Sequence, residues 1–196
     1  MNRFVTVLLL LCASLATAGC FPLVVGGAAG TAALVADRRP ADIIATDQRI
    51  EWTMGQEIER AVGSNNVHIN ATSYNRHVLL TGEVTTPEGK AKIDDVASRV
   101  HDVRRVYNEV QIGFPSAMDS RANDTYLTSQ VKARMAGAQK FNPVHVKVVT
   151  EAKTVYLMGI VYPQEADDAT EIARNTQGVQ RVVRLFEYAA GTKPKQ

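Results

Sequence analysis

The chain has 196 residues, 45% hydrophobic and 21% charged, an ordinary balance for a globular protein. A formal net charge of +2 argues against a dedicated nucleic-acid binder, which would carry a domain-wide basic excess. Seven Pro and 13 Gly give no sign of a low-complexity or disordered chain.

Residues 1–19 read as an export signal rather than fold. Arg3 supplies a positive start, residues 4–15 an apolar run, and residues 16–19 a small-residue site, too short for a comfortable membrane span. Cys12 lies inside this segment, so Cys20 is the one thiol of the mature chain. Thr17-Ala18-Gly19-Cys20 resembles the bacterial lipoprotein lipobox, with Thr17 where Leu is usual. That resemblance implies acylation of Cys20, palmitate included, and Phe21 after it implies sorting to the outer membrane. Each buried methylene is worth about 0.8 kcal/mol, so several chains anchor stably where one does not. Residues 20–45 are expected to form the lipidated N-terminus and a tether. Gly26 and Gly30 have small-xxx-small spacing, but the apolar stretch is short for a span.

Two similar units follow. In the first, residues 46–113, Asp47 is a plausible N-cap for a helix over residues 47–62. Ile50, Met54, Ile58 and Ala61 form its apolar stripe. Val67-His68-Ile69-Asn70-Ala71 alternates as a half-buried strand does. Residues 74–76 turn, and residues 78–84 form the next strand, where Gly82 marks a bulge or a close backbone approach. Pro87 opens a helix whose stripe is Ile93, Val96, Ala97 and Val100, and Val106, Val110 and Ile112 close the unit with a strand. Residues 114–123 read as a linker, residues 124–188 repeat the pattern, and residues 189–196 are expected to be a disordered tail.

In the repeat, Asp124 answers Asp47, Leu127 answers Ile50, Met135 answers Ile58, Val144-His145-Val146 answers Val67-His68-Ile69, and Gly159 answers Gly82. The fold class is thus α+β: two tandem α-β-β-α-β units, each a three-stranded mixed sheet with two helices on one face. The other face is free for water or a neighbour, and the units could pack sheet to helix.

The mid-strand glycine, the Ala-rich crossover helix and the closing V-x-x-V strand resemble the BON domain. The matches are strongest at Val106-Tyr107-Asn108-Glu109, Asn123-Asp124-Thr125, Val146-Lys147-Val148-Val149-Thr150, residues 155–159 and Gly178-Val179-Gln180-Arg181-Val182. Two such units behind a lipobox are similar to the dual-BON outer-membrane lipoproteins of the DolP type. The resemblance implies a periplasmic lipoprotein on the outer membrane that binds anionic phospholipid, phosphatidylglycerol or cardiolipin, through the first helix of its second domain and supports envelope integrity.

No G-x-S-x-G elbow, phosphate loop or H-E-x-x-H motif occurs, so no catalytic residue, metal ligand or cofactor is assigned and no enzyme is expected. Asp94-Asp95 and Asp167-Asp168 read as solvated helix faces. His68 and His145 read as a polar strand face without clustered partners. The units differ most in charge. Residues 125–150 contain no acid, Lys132 stands where Gly55 does, Arg134 where Glu57 does, and Tyr126 where Arg49 does. An aromatic with small and basic residues suits an anionic bilayer interface. The expected lipid-contacting set is Tyr126, Leu127, Gln130, Lys132, Ala133, Arg134 and Gly137. The competing expectation is an adaptor that recognises envelope proteins without lipid.

Overall fold

A computed structural model describes residues 37–64 and 67–191. The signal, the Cys20 anchor, the apolar stretch to residue 36 and the last five tail residues lie outside them. The first repeat runs α1 (Ala41–Val62), β1 (Val67–Tyr74), β2 (His77–Val84), α2 (Pro87–Arg99), β3 (Arg105–Asn108) and β4 (Gln111–Ile112). The second runs α3 (Met118–Ala138), a 3-10 turn (Pro143–His145), β5 (Val146–Glu151), β6 (Thr154–Val161), α4 (Pro163–Arg174) and β7 (Arg181–Tyr188). Each hairpin is antiparallel, and each crossover helix returns the chain parallel to the hairpin's second strand. The sheet orders are β1-β2-β3 and β5-β6-β7, in the α+β class expected.

Several elements begin or break elsewhere than the sequence pattern predicts. Helix α1 starts at Ala41 behind Pro40, so residues 41–45 belong to the helix rather than to a tether. Helix α3 starts at Met118, inside the stretch read as linker. The closing strand of the first repeat is interrupted, because Asn108 Oδ1 takes the Val110 amide at 3.0 Å before β4 resumes beside β2. His145 ends the 3-10 turn rather than lying in a strand.

Asp47 is not a cap either. It sits inside α1, buried, and faces the β1–β2 hairpin, whose turn residues Asn75 and Arg76 both have positive φ. Non-glycine residues resist that region, so the turn needs holding. Asp47 takes the Asn75 and Arg76 amides at 2.8 and 2.7 Å and the Ser73 hydroxyl at 2.7 Å. Asp124 does the same for Ala152 and Lys153, both also of positive φ, at 2.9 Å each. The two glycines are required by proximity: a Cβ on Gly82 would lie 1.8 Å from the His68 carbonyl oxygen, and one on Gly159 2.2 Å from that of His145.

Each sheet buries both faces. On the inner side of the first, Ile50, Met54, Ile58, Val78, Leu80, Ile93 and Ala97 form one core. The second repeat builds its own from Val131, Met135, Val155, Leu157, Ala166, Ala169 and neighbours. On the other side Tyr74 and Leu79 pack with Tyr156, Met158 and Leu185. The repeats therefore meet sheet face to sheet face, not sheet to helix. Polar contacts ring this seam: Asn75 to Glu187 at 2.9 Å, Asn70 to Glu151 at 3.3 Å and Arg181 to Glu109 at 3.5 Å.

The segment before α1 is tied down by two arginines. Arg38 reaches the second repeat, donating to Glu165 at 2.6 and 3.0 Å and to the Ile160 carbonyl at 2.7 Å. Arg39 pairs with Asp37 and Asp47 and lies over the Tyr74 ring at 3.8 Å. What reads as the end of a tether is a strap across the repeat seam.

Candidate functional site

Helix α3 follows Pro115 and ends where Gln139 turns left-handed at φ 52. Asp124, Leu127, Val131 and Met135 are its buried stripe. At 3.6 residues per turn, Met118, Tyr126, Ala133 and Gly137 lie on the opposite side. Tyr126 is 60% exposed, Met118 is 73% exposed, and Ala133 and Gly137 face solvent. Lys132 and Arg134 flank this face and are exposed; among the described residues neither makes an ion pair. Partial burial, and then the charge of Lys147, hold the Lys132 ammonium below the usual lysine value.

Two of the expected residues sit differently. Leu127 is only 2% exposed, and its side chain lies against Gly178. It belongs to the inner stripe because it is the counterpart of Ile50, so it fastens the helix and cannot touch a bilayer. Gln130 is half-buried at the edge. The remaining five, Tyr126, Lys132, Ala133, Arg134 and Gly137, share the open side of one helix.

The exposed apolar surface extends beyond that set. Phe114 is 84% exposed, and Ile112 and Met118 are exposed with it. A Phe and a Met in a supposed linker were the available signal, since a connector needs neither. Trp52 of α1 is 70% exposed and lies off the inner stripe that the helical period picks out.

The acidic pairs are engaged on the surface: Asp95 with Arg99, Asp94 with Asn108, Asp168 with Lys140 and Asp167 with Arg184. His68 approaches Asn70 and Arg121 at 3.2 and 3.4 Å. His77 lies 3.6 Å from Glu187, and its pKa is lowered, first by burial, against the pull of that carboxylate. Among the described residues no group of three His, Cys, Asp or Glu could hold a metal ion, and no helix is long and apolar enough to cross a membrane.

With this geometry in hand, the likeness to known proteins becomes specific. A model of the BON domain matches residues 46–113 and again residues 123–190. The outer membrane lipoprotein DolP of Haemophilus influenzae is 32% identical over 181 residues, 92% of this chain and 94% of that one. A 21 kDa hemolysin of Actinobacillus pleuropneumoniae is 29% identical over 142 residues, 72% of each chain. Among solved structures, one of CdsD, a structural protein of the type III secretion system of Chlamydia trachomatis, aligns at 16% identity with a TM-score of 0.24, covering 70% of this chain and 93% of that one. A superposition so loose carries no argument. The unit of helix, hairpin, crossover helix and strand is the BON domain twice over, and the chain belongs to the BON-domain family.

Proposed function

We propose that this chain is a non-catalytic, lipid-anchored protein of the outer membrane's periplasmic face. In this reading Cys20 carries the acyl chains, and the outward side of α3 lies on anionic phospholipid such as phosphatidylglycerol or cardiolipin. The observation that carries it is one exposed helix face bearing Tyr126 with Lys132 and Arg134 beside it, neither of them paired with an acid among the described residues. The DolP relative and the lipobox support the membrane location. Tyr126 suits the headgroup level, with an apolar ring and a polar tip. Each basic residue there adds about 1 kcal/mol, lost with salt. Phe114 and Met118 extend the apolar contact.

The test is co-sedimentation of protein lacking residues 1–20 with phosphatidylglycerol vesicles. Binding should fall about fivefold for each of Lys132→Gln and Arg134→Gln, following the charge contribution just given, and weaken further with Tyr126→Ala. Equal binding by wild type and the triple variant would remove α3 from the reading. Binding to no vesicle would favour the adaptor.

A further inference from the structure

An open groove of about 410 Å³ lies in the first repeat, between α1 and β1. Its helix wall is Glu51, Trp52, Gly55 and Glu59; its other wall is Val67, Ile69 and Ala71 of β1. This strand is the edge of its sheet. The two-residue turn pairs Tyr74 with His77, and hydrogen-bonded pairs alternate along an antiparallel ladder. The N–H and C=O groups of Val67, Ile69, Ala71 and Ser73 therefore point away from β2. Ser73 bears this out, since its amide is taken by Glu51 at 2.8 Å rather than by β2. Val67, Ile69 and Ala71, whose backbone faces outward along the rest of β1, all line the groove, together with His68 between them.

Gly55 opens the helix wall. A Cβ there would meet nothing within 4 Å, so the fold does not need a glycine, and a mid-helix glycine costs stability relative to alanine. The equivalent place in the second repeat holds Lys132. Trp52, largely exposed, supplies an apolar surface beside the gap. The charged residues lining the groove are Glu51 and Glu59, with no Lys or Arg among them. The Lys147 ammonium lies 4.0 Å from Glu51. The C-terminal end of α1, which carries partial negative charge, lies at the same groove through Val62 and Gly63.

We propose that this groove binds an extended, basic polypeptide segment of a partner protein, which adds as a strand to β1 and sets a side chain over Gly55 against Trp52. Strand addition draws its affinity from main-chain hydrogen bonds and its selectivity from pockets for alternate side chains. Here the outward amides and carbonyls of residues 67–71 supply the first, and the Gly55–Trp52 gap with Glu51 and Glu59 supplies the second. The site is separate from the α3 face and stands or falls independently of it.

Trp52 is the only tryptophan, so its emission reports the groove directly. The experiment uses the full chain in detergent micelles and a fluorescein-labelled ten-residue peptide alternating Val and Lys. Binding is read by anisotropy and by Trp52 emission with an unlabelled copy. The expected result is saturable binding with a blue shift of Trp52. Gly55→Lys should lower affinity at least tenfold while Gly55→Ala keeps it, which separates blockage from any change in helix stability. Alternate N-methylation of the peptide should also cost at least tenfold, and Glu replacing Lys in the peptide should abolish binding. Equal affinity for the N-methylated peptide, or for Gly55→Lys, would overturn strand addition at this groove. So would no binding at millimolar peptide, or a Trp52 shift produced by phosphatidylglycerol vesicles and unaltered by the peptide.

Discussion

The first helices of the two repeats, α1 and α3, are the same element facing inward and different elements facing outward. Asp47, Ile50, Met54 and Ile58 are buried on one, and Asp124, Leu127, Val131 and Met135, at the same spacing, on the other. Their outward sides share almost nothing. Trp52, Gly55 and Glu57 stand on α1 where Ser129, Lys132 and Arg134 stand on α3. Duplication has kept what holds the helix to its hairpin and freed what meets the surroundings. An acidic groove has come to lie on one copy and a basic, aromatic face on the other. The inward sides share a structural role and the outward sides differ in chemistry, and substitutions made in pairs separate the two.

The largest effect is expected where the copies look most alike. Asp47 holds two turn amides, a hydroxyl and Arg39, whereas Asp124 holds two amides. Asp47→Ala leaves buried donors and a guanidinium without their carboxylate, a loss of about 3–5 kcal/mol. Asp124→Ala removes two charge-assisted hydrogen bonds, about 2–3 kcal/mol. Urea unfolding measures both. Equal losses would mean that the strap through Arg39 adds nothing to the first repeat.

Next come the strand glycines. A methyl on Gly82 must displace the His68 carbonyl, and the position also has φ +111; Gly159 has the slightly looser approach and no such φ. Forcing extra carbon into a packed site costs about 1–3 kcal/mol, so Gly82→Ala should reach the top of that range and Gly159→Ala fall below it. The same urea series ranks them, and a reversed order would show that the 3-10 turn ahead of β5 yields less readily than β1.

These two pairs also mark how far the sequence could be read. The glycines and stripes were legible, because period and packing are local. Asp47 was visible as a repeated position, but its job was not: an Asp ahead of an apolar stripe is read as a cap, and only the hairpin's return shows its carboxylate serving a turn 28 residues on. The sheet-to-sheet seam also leaves a signal in the sequence. Val78, Leu79 and Leu80, and Val155 to Met158, are continuous apolar runs, the mark of strands buried on both faces, and a one-sided sheet would have alternated. On α3, Tyr126, Lys132 and Arg134 were legible through comparison of the copies. Phe114 and Met118 were not, because a proline-containing connector was expected there and the helix begins earlier.

The strap gives a smaller, pH-dependent effect. Burial pushes the Glu165 carboxyl up, but the Arg38 hydrogen bonds, the Tyr162 amide and the Arg38 and His145 charges outweigh it and hold the pKa below the ordinary value of 4.5. A carboxyl lowered on folding contributes its stability in full above the unfolded value and loses it as pH falls through the folded one. Arg38→Ala should therefore cost about 2 kcal/mol at pH 7. The gap between wild type and variant should narrow as the pH drops below 4.5. A gap that is flat with pH would assign the loss to the Ile160 contact and the Tyr162 ring rather than to the ion pair.

The smallest effect bears most directly on the divergence. Gly55 and Gly137 are both helical, and a Cβ on either would meet nothing within 4 Å. Gly55 lies in the middle of α1, while Gly137 is one residue from the end of α3. Replacing glycine by alanine in a helix interior stabilises by about 0.4–1 kcal/mol, largely by narrowing the unfolded ensemble. Near a fraying end less of that gain is realised. Gly55→Ala should therefore raise the thermal midpoint by a few degrees and Gly137→Ala by less. A gain at Gly55 means that the fold would be steadier with a side chain there, so the gap beside Trp52 serves contact rather than folding. A loss would show that α1 needs its glycine for its own packing, and the groove would then be a by-product of the helix rather than a surface kept open.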